Sequence, residues 1–120
     1  MTQEDKDLLL KDLSARLFYG VKVEYENKTF DIEYVCPMYE EVKLDIPETW
    51  TLNAEEVKPY LFPMSSMTEE QNLEYLRTCW GGNAGAPTLK SFDWCNKNHF
   101  DYRGLIPMEL ATDATGKNIY

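Results

Sequence analysis

The chain has 120 residues, 43% of them hydrophobic, and a formal net charge of −9 from 21 acidic and 12 basic residues. That length and apolar content suit one domain with one core, spanning 1–120. Both halves are acidic and neither carries a basic stripe. This disfavours direct binding to nucleic acid, which needs Lys and Arg to neutralise phosphates, and disfavours attraction to an anionic membrane.

The opening residues Thr2-Gln3-Glu4-Asp5 lack the basic-then-apolar order of a secretory signal, and the apolar run Leu8–Leu10 is far too short to span a bilayer. A soluble, cytoplasmic protein is expected. Cys36, Cys79 and Cys95 are odd in number and form no CxxC pair, so reduced thiols are expected, not a disulfide framework.

Thr2 followed by Asp5 resembles a helix cap, and Leu9, Leu10, Leu13 and Leu17 recur at helical spacing behind it. The alternating charges Asp5, Lys6, Asp7, Lys11, Asp12 and Arg16 are read as the solvated face of this helix, which Gly20 closes. From Val21 the apolar period becomes two. Val21, Val23 and Tyr25, then Phe30, Ile32 and Tyr34, predict a hairpin, which Cys36-Pro37 interrupts. Val42, Leu44 and Ile46 supply a third strand that ends at Pro47. Between Pro47 and Met67, three prolines and a capped start at Asn53-Ala54-Glu55-Glu56 predict short turns wrapped across the core.

Thr68-Glu69-Glu70-Gln71 is a capping box, and Leu73, Leu76 and Trp80 follow at helical spacing. The glycine-rich segment Gly81–Pro87 predicts an exposed loop. Ser91 is read as the cap of a third helix whose Phe92, Cys95 and His99 share one face. A turn at Asp101-Tyr102-Arg103-Gly104 and a short apolar element, Leu105–Ala111, come next, and 112–120 are expected to fray. The predicted fold class is α+β: an N-terminal helix, a three-stranded antiparallel meander, then two to three short helices packed on one face of the sheet.

Chemistry concentrates in Ser91–Leu105, which holds Trp94, Cys95, the only histidine and Arg103. An imidazole four residues from a thiol suggests an activated nucleophile, with Asn98 or Asp101 orienting the ring. The preferred reading is a helix face packed inward, because cysteine behaves more often as a small buried hydrophobe. Cys36, Cys79, Cys95 and His99 formally make a Cys3His set, but at no characteristic zinc spacing, so neither a metal nor a cofactor is expected. WGGNAGAPT lacks the GK[ST] of a phosphate loop and follows a helix, not a strand. The pairs Glu40-Glu41, Glu55-Glu56 and Glu69-Glu70 are too common to mark a catalytic dyad. The candidate binding residues are therefore Tyr60, Trp94, His99, Asp101, Tyr102 and Arg103, with Gly82 and Asn83 on the neighbouring loop; no catalytic residue is assigned.

The blocks ARLFYGVKVEY (Ala15–Tyr25), VKPYLFPMSSMTEE (Val57–Glu70) and FDWCNKNHFDYRGLIPMELA (Phe92–Ala111) resemble a group of small proteins of gut Bacteroides-type bacteria and of their phages and mobile elements, a group without an established activity. The chain departs from that group's pattern at Phe18, where proline is expected, at Glu109, where glycine is expected, and in its ending DATGKNIY. The resemblance implies a phage or mobile-element accessory protein in an intracellular setting. Together the readings favour a non-enzymatic interaction module with an unidentified, basic protein partner, in an oligomeric state left open. The alternative is a small-ligand or nucleotide-binding protein that uses Gly81–Gly85 and Trp94–Arg103 as pocket walls.

Overall fold

The computed structural model describes residues 1–46, 51–79 and 87–120. Its first helix, α1 (Gln3–Arg16), begins where the sequence places it, with the Thr2 hydroxyl accepting a hydrogen bond from the Asp5 amide. Leu9, Leu10 and Leu13 are buried in the main core. A single 3-10 turn, Leu17–Tyr19, follows, and Gly20 at φ 70° ends it in the left-handed conformation that a residue without Cβ adopts freely.

The hairpin pairs β1 (Lys22–Tyr25) with β2 (Lys28–Cys36) through Glu26 and Asn27, both at positive φ, as a two-residue type I′ connection requires. A register shift between Ile32 and Tyr34 then breaks the strict alternation of β2. Phe30, Ile32 and Val35 pack against the core while Tyr34 is exposed, so the bulge reverses the side that period two gives Tyr34. Pro37–Tyr39 form a 3-10 turn leading into β3 (Glu41–Leu44), whose Val42 and Leu44 are buried.

Among the described residues the sheet has six strands, not three. The expected meander forms its middle, and β4 (Thr51–Asn53), β5 (Lys58–Leu61) and β6 (Thr112–Asp113) extend it in the order β4-β3-β2-β1-β5-β6. Among the described residues, only the β5–β6 strand pair is parallel. The three added strands have two to four residues each, too short for an alternation to register. Pro59 also argues against a central strand on sequence alone. It is accommodated because β1 pairs with Lys58 and Pro59 whereas β6 pairs with Tyr60 and Leu61, so no residue of β5 is laddered on both sides. Asn53 and Glu56 do form a capping box, but on a single 3-10 turn, Ala54–Glu56.

Two helices follow. α2 (Glu69–Thr78) starts at the predicted Thr68–Gln71 capping box. α3 (Leu89–Lys97) is capped by Thr88, not by Ser91, which instead supplies the third position of that capping box and is fully buried. The helices do not form one layer on the sheet as expected. α2 packs on α3, buries none of its own residues and leaves Leu73 and Leu76 exposed. Trp80 and the glycine-rich segment through Ala86 lie outside the described residues.

The segment from Thr112 onward, expected to fray, is held. β6 joins the sheet, and the Tyr120 hydroxyl accepts from the Lys22 amide at 2.9 Å and donates to the Tyr60 carbonyl at 2.8 Å.

Glu109 sits at φ 62°, a backbone conformation that favours glycine. Its side chain is exposed, and the Glu109 amide closes a turn on the Ile106 carbonyl. Glu109→Gly is expected to raise stability by about 0.5–1 kcal/mol, the left-handed strain relieved exceeding the added unfolded-state entropy. An unchanged or lower denaturant midpoint would show that this turn is unstrained.

Candidate functional site

Arg16 lies three residues after Leu13 and seven after Leu9, so it falls inside the apolar stripe of α1. It is fully buried, as is Asp12 one turn earlier, which corrects the reading of both as solvated charges. The Arg16 Nε donates to Asp12 Oδ2 at 2.9 Å, and its two terminal nitrogens donate to the carbonyls of Cys95 and Phe100. Arg103 Nη1 donates to the other Asp12 oxygen, also at 2.9 Å. Burial pushes the Asp12 carboxyl up from its ordinary value, against the pull of both guanidiniums. With each oxygen accepting from a guanidinium, the bonding is that of a carboxylate. The cluster ties α1 to the C-terminal end of α3 and to the turn beyond it.

The dense segment is organised around this joint. His99 lies past the end of α3 at φ 63° and so does not share a helical face with Phe92 and Cys95. Its ring is 8% exposed and stacks on Tyr120 with centroids 3.7 Å apart. Burial, with Arg16 and Lys22 adding to it, lowers the His99 pKa to about 4, and its Nδ1 has no partner among the described residues. Cys95 is fully buried, and burial raises its thiol to about 11, the opposite of what a nucleophile needs. Both side chains are buried, but not as the single inward face expected, since His99 lies beyond α3 and Phe92 is exposed.

The unfolded imidazole takes up a proton near pH 6.5, whereas the folded one does so only near pH 4. The unfolded state therefore binds more protons between those values. Stability from this residue is fully present above pH 6.5 and is lost as pH falls towards 4. Over that window the native chain should lose about 2 kcal/mol more than His99→Asn, a variant that tolerates positive φ and does not titrate. Parallel stability–pH curves for the two proteins would contradict the assignment.

Of the remaining candidate residues, Tyr60 and Asp101 are 5% and 6% exposed and are held by internal bonds, so they offer no binding surface. The Tyr60 hydroxyl donates to Glu24, and the Asp101 carboxylate accepts from the amides of Leu105 and Ile106, closing the predicted turn. Trp94 is half-buried, stacked on Phe100 at 5.4 Å and tilted against Tyr75. Gly82 and Asn83 lie outside the described residues. Tyr102 and Arg103 do come together at the surface: the Arg103 guanidinium lies 4.6 Å from the Tyr102 ring centroid, and Tyr102 stacks on Phe92 at 4.9 Å.

A second set of contacts joins α3 to the turn after α1. Asp93, beside Phe92, accepts a hydrogen bond from the Tyr19 hydroxyl, and Tyr19 packs edge-on against Phe18. Phe18 is 93% exposed, and Leu89, one turn before Phe92 on α3, is 86% exposed. On the other side of Arg103 a cleft of about 520 Å³ is lined by Asp7, Leu10, Lys11, Ser14, Pro37 and Arg103. Arg103 thus belongs both to the Tyr102–Phe92 stack and to the cleft. Sequence reasoning found Tyr102 and Arg103 but missed the α1 residues; Asp7, Lys11 and Ser14, at spacings of four and three, were the available signal.

Among the described residues, no three His, Cys, Asp or Glu side chains converge as a metal ion would require, and no helix is long and apolar enough to cross a membrane. Comparison with protein family models, curated proteins and solved structures returns no match.

Proposed function

We propose that the chain is a non-enzymatic protein-interaction module that docks a basic partner through the row Phe18, Leu89, Phe92 and Tyr102. The observation that carries this reading is the near-complete exposure of Phe18 and Leu89, with Phe92, one turn after Leu89 on α3, stacked on the Tyr102 that holds Arg103. Large apolar side chains flanked by Tyr and Arg are what a binding hot spot offers, and their exposure does nothing for the fold. The net charge of −9 favours a basic partner and fast association that weakens with salt. The resemblance to proteins of gut bacteria and their phages supplies the setting: a mobile-element accessory protein that inhibits a basic host protein.

The test is affinity capture from a Bacteroides-type lysate at low salt, with the native chain beside a Phe18→Ser/Leu89→Ser variant. Both substitutions are at exposed positions and should change stability by no more than about 0.5 kcal/mol each. A basic protein retained by the native chain and lost from the variant supports the reading. Equal capture by both, or capture by neither, defeats it.

A further inference from the structure

The ion cluster beneath the surface is unbalanced. Asp12 is one carboxylate shared by two guanidiniums, and Arg16 is wholly enclosed, so the surplus positive charge emerges at Arg103, whose side chain is 21% exposed. Arg103 spends one terminal nitrogen on Asp12 and is held flat by Tyr102. It has no second hydrogen-bond acceptor among the described residues, and it lines the 520 Å³ cleft. Lys11, on the same cleft, makes no ion pair among the described residues and offsets the Asp7 carboxylate of the rim, so the surplus of the ion cluster stays uncancelled. On a chain of net charge −9, this is a local excess of positive charge.

We propose that the cleft binds a small monocarboxylate with an apolar body. The planar Arg103 fork, fixed by Asp12 and Tyr102, presents its remaining N–H groups to a carboxylate, a geometry guanidinium matches better than ammonium does. Lys11 and the Ser14 hydroxyl add a second charge and a donor. Leu10 and Pro37 give the apolar wall against which an alkyl or aryl body packs, and the volume lies within the range of small-molecule sites. A singly charged ligand suits the site better than a phosphate dianion, because Asp7 on the same rim repels the second charge. The site shares Arg103 and its Tyr102 support with the protein-docking surface, but its ligand sits in the cleft and its test does not depend on that row.

The test is an amide-resolved NMR titration of the full chain with phenylacetate, hexanoate, the neutral analogue phenylacetamide and inorganic phosphate. Both carboxylates should shift the amides of Leu10, Lys11, Ser14 and Arg103, with phenylacetamide and phosphate weaker by about ten-fold or more. Arg103→Gln should weaken carboxylate binding by a similar factor. Because that change also touches the ion cluster, Ser14→Phe, which fills the cleft from an exposed helix position, should abolish binding while leaving the fold intact. The proposal is overturned if neither carboxylate shifts these amides, if phenylacetamide or phosphate binds as tightly, or if Ser14→Phe binds like the native chain.

Discussion

Asp12→Ala is expected to destabilise the chain by about 3–5 kcal/mol, the cost of leaving a buried charge without its counter-ion. Alanine is the better helix former, but that gain is only about 0.5 kcal/mol. Arg16 would keep the carbonyls of Cys95 and Phe100 as acceptors but lose the only negative charge bonded to it among the described residues. Against a total stability of about 5–15 kcal/mol, the loss is large enough to populate the unfolded state. Urea unfolding followed by circular dichroism should show a lower midpoint at unchanged slope. Arg103→Gln removes only a half-buried partner and should cost about 1 kcal/mol. An Asp12→Ala/Arg16→Met double variant should recover part of the single-variant loss, because the stranded charge is then gone. A loss below about 1 kcal/mol for Asp12→Ala would mean that water reaches Arg16.

Tyr120→Ala carries the second large effect. The ring stacks on His99 and tilts against Phe62 at 5.9 Å, and its hydroxyl joins the Lys22 amide to the Tyr60 carbonyl, stapling β1 to β5 from outside the sheet. Deletion of the ring should cost about 2–4 kcal/mol, somewhat below a fully enclosed aromatic because the residue is 42% exposed. Tyr120→Phe, which removes only the hydroxyl, should cost about 1–2 kcal/mol, since an amide and a carbonyl lose their partner. Burial raises the Tyr120 phenol well above its usual value, so the hydroxyl stays a donor throughout the neutral range. Were Tyr120→Ala to match the native midpoint, the last residues would be frayed after all.

What the sequence revealed depended on how far each signal extended along the chain. α1, the β1–β2 hairpin, β3 and the start of α2 announce themselves through four or more patterned residues or a complete capping box. The short strands β4 and β6 do not, and β5 is disguised by Pro59. The bulge in β2 is invisible because it arises from pairing with β3, not from composition. In Ser91–Leu105, the turn at Asp101-Tyr102-Arg103-Gly104 was legible. The choice of Asp12 as the Arg103 partner was not, since the two are 91 residues apart. Asp12 and Arg16 misled for a plainer reason: charge alternation on a helix usually marks the wet face, and only the spacing from Leu9 and Leu13 puts Arg16 on the dry one. His99 was misplaced because α3 ends at Lys97, two residues before the histidine.

Within Ser91–Leu105, Cys95, His99 and Asp101 are buried in a core joint, whereas Phe92 and Tyr102 stack at the surface in the proposed docking row with Phe18 and Leu89. The most direct measurement is therefore the low-salt capture comparison extended to Cys95→Ala. Phe18→Ser/Leu89→Ser should lose the basic partner, and Cys95→Ala, once shown to be folded, should retain it. Partner loss in Cys95→Ala with retention in the Phe18→Ser/Leu89→Ser variant would contradict the docking proposal.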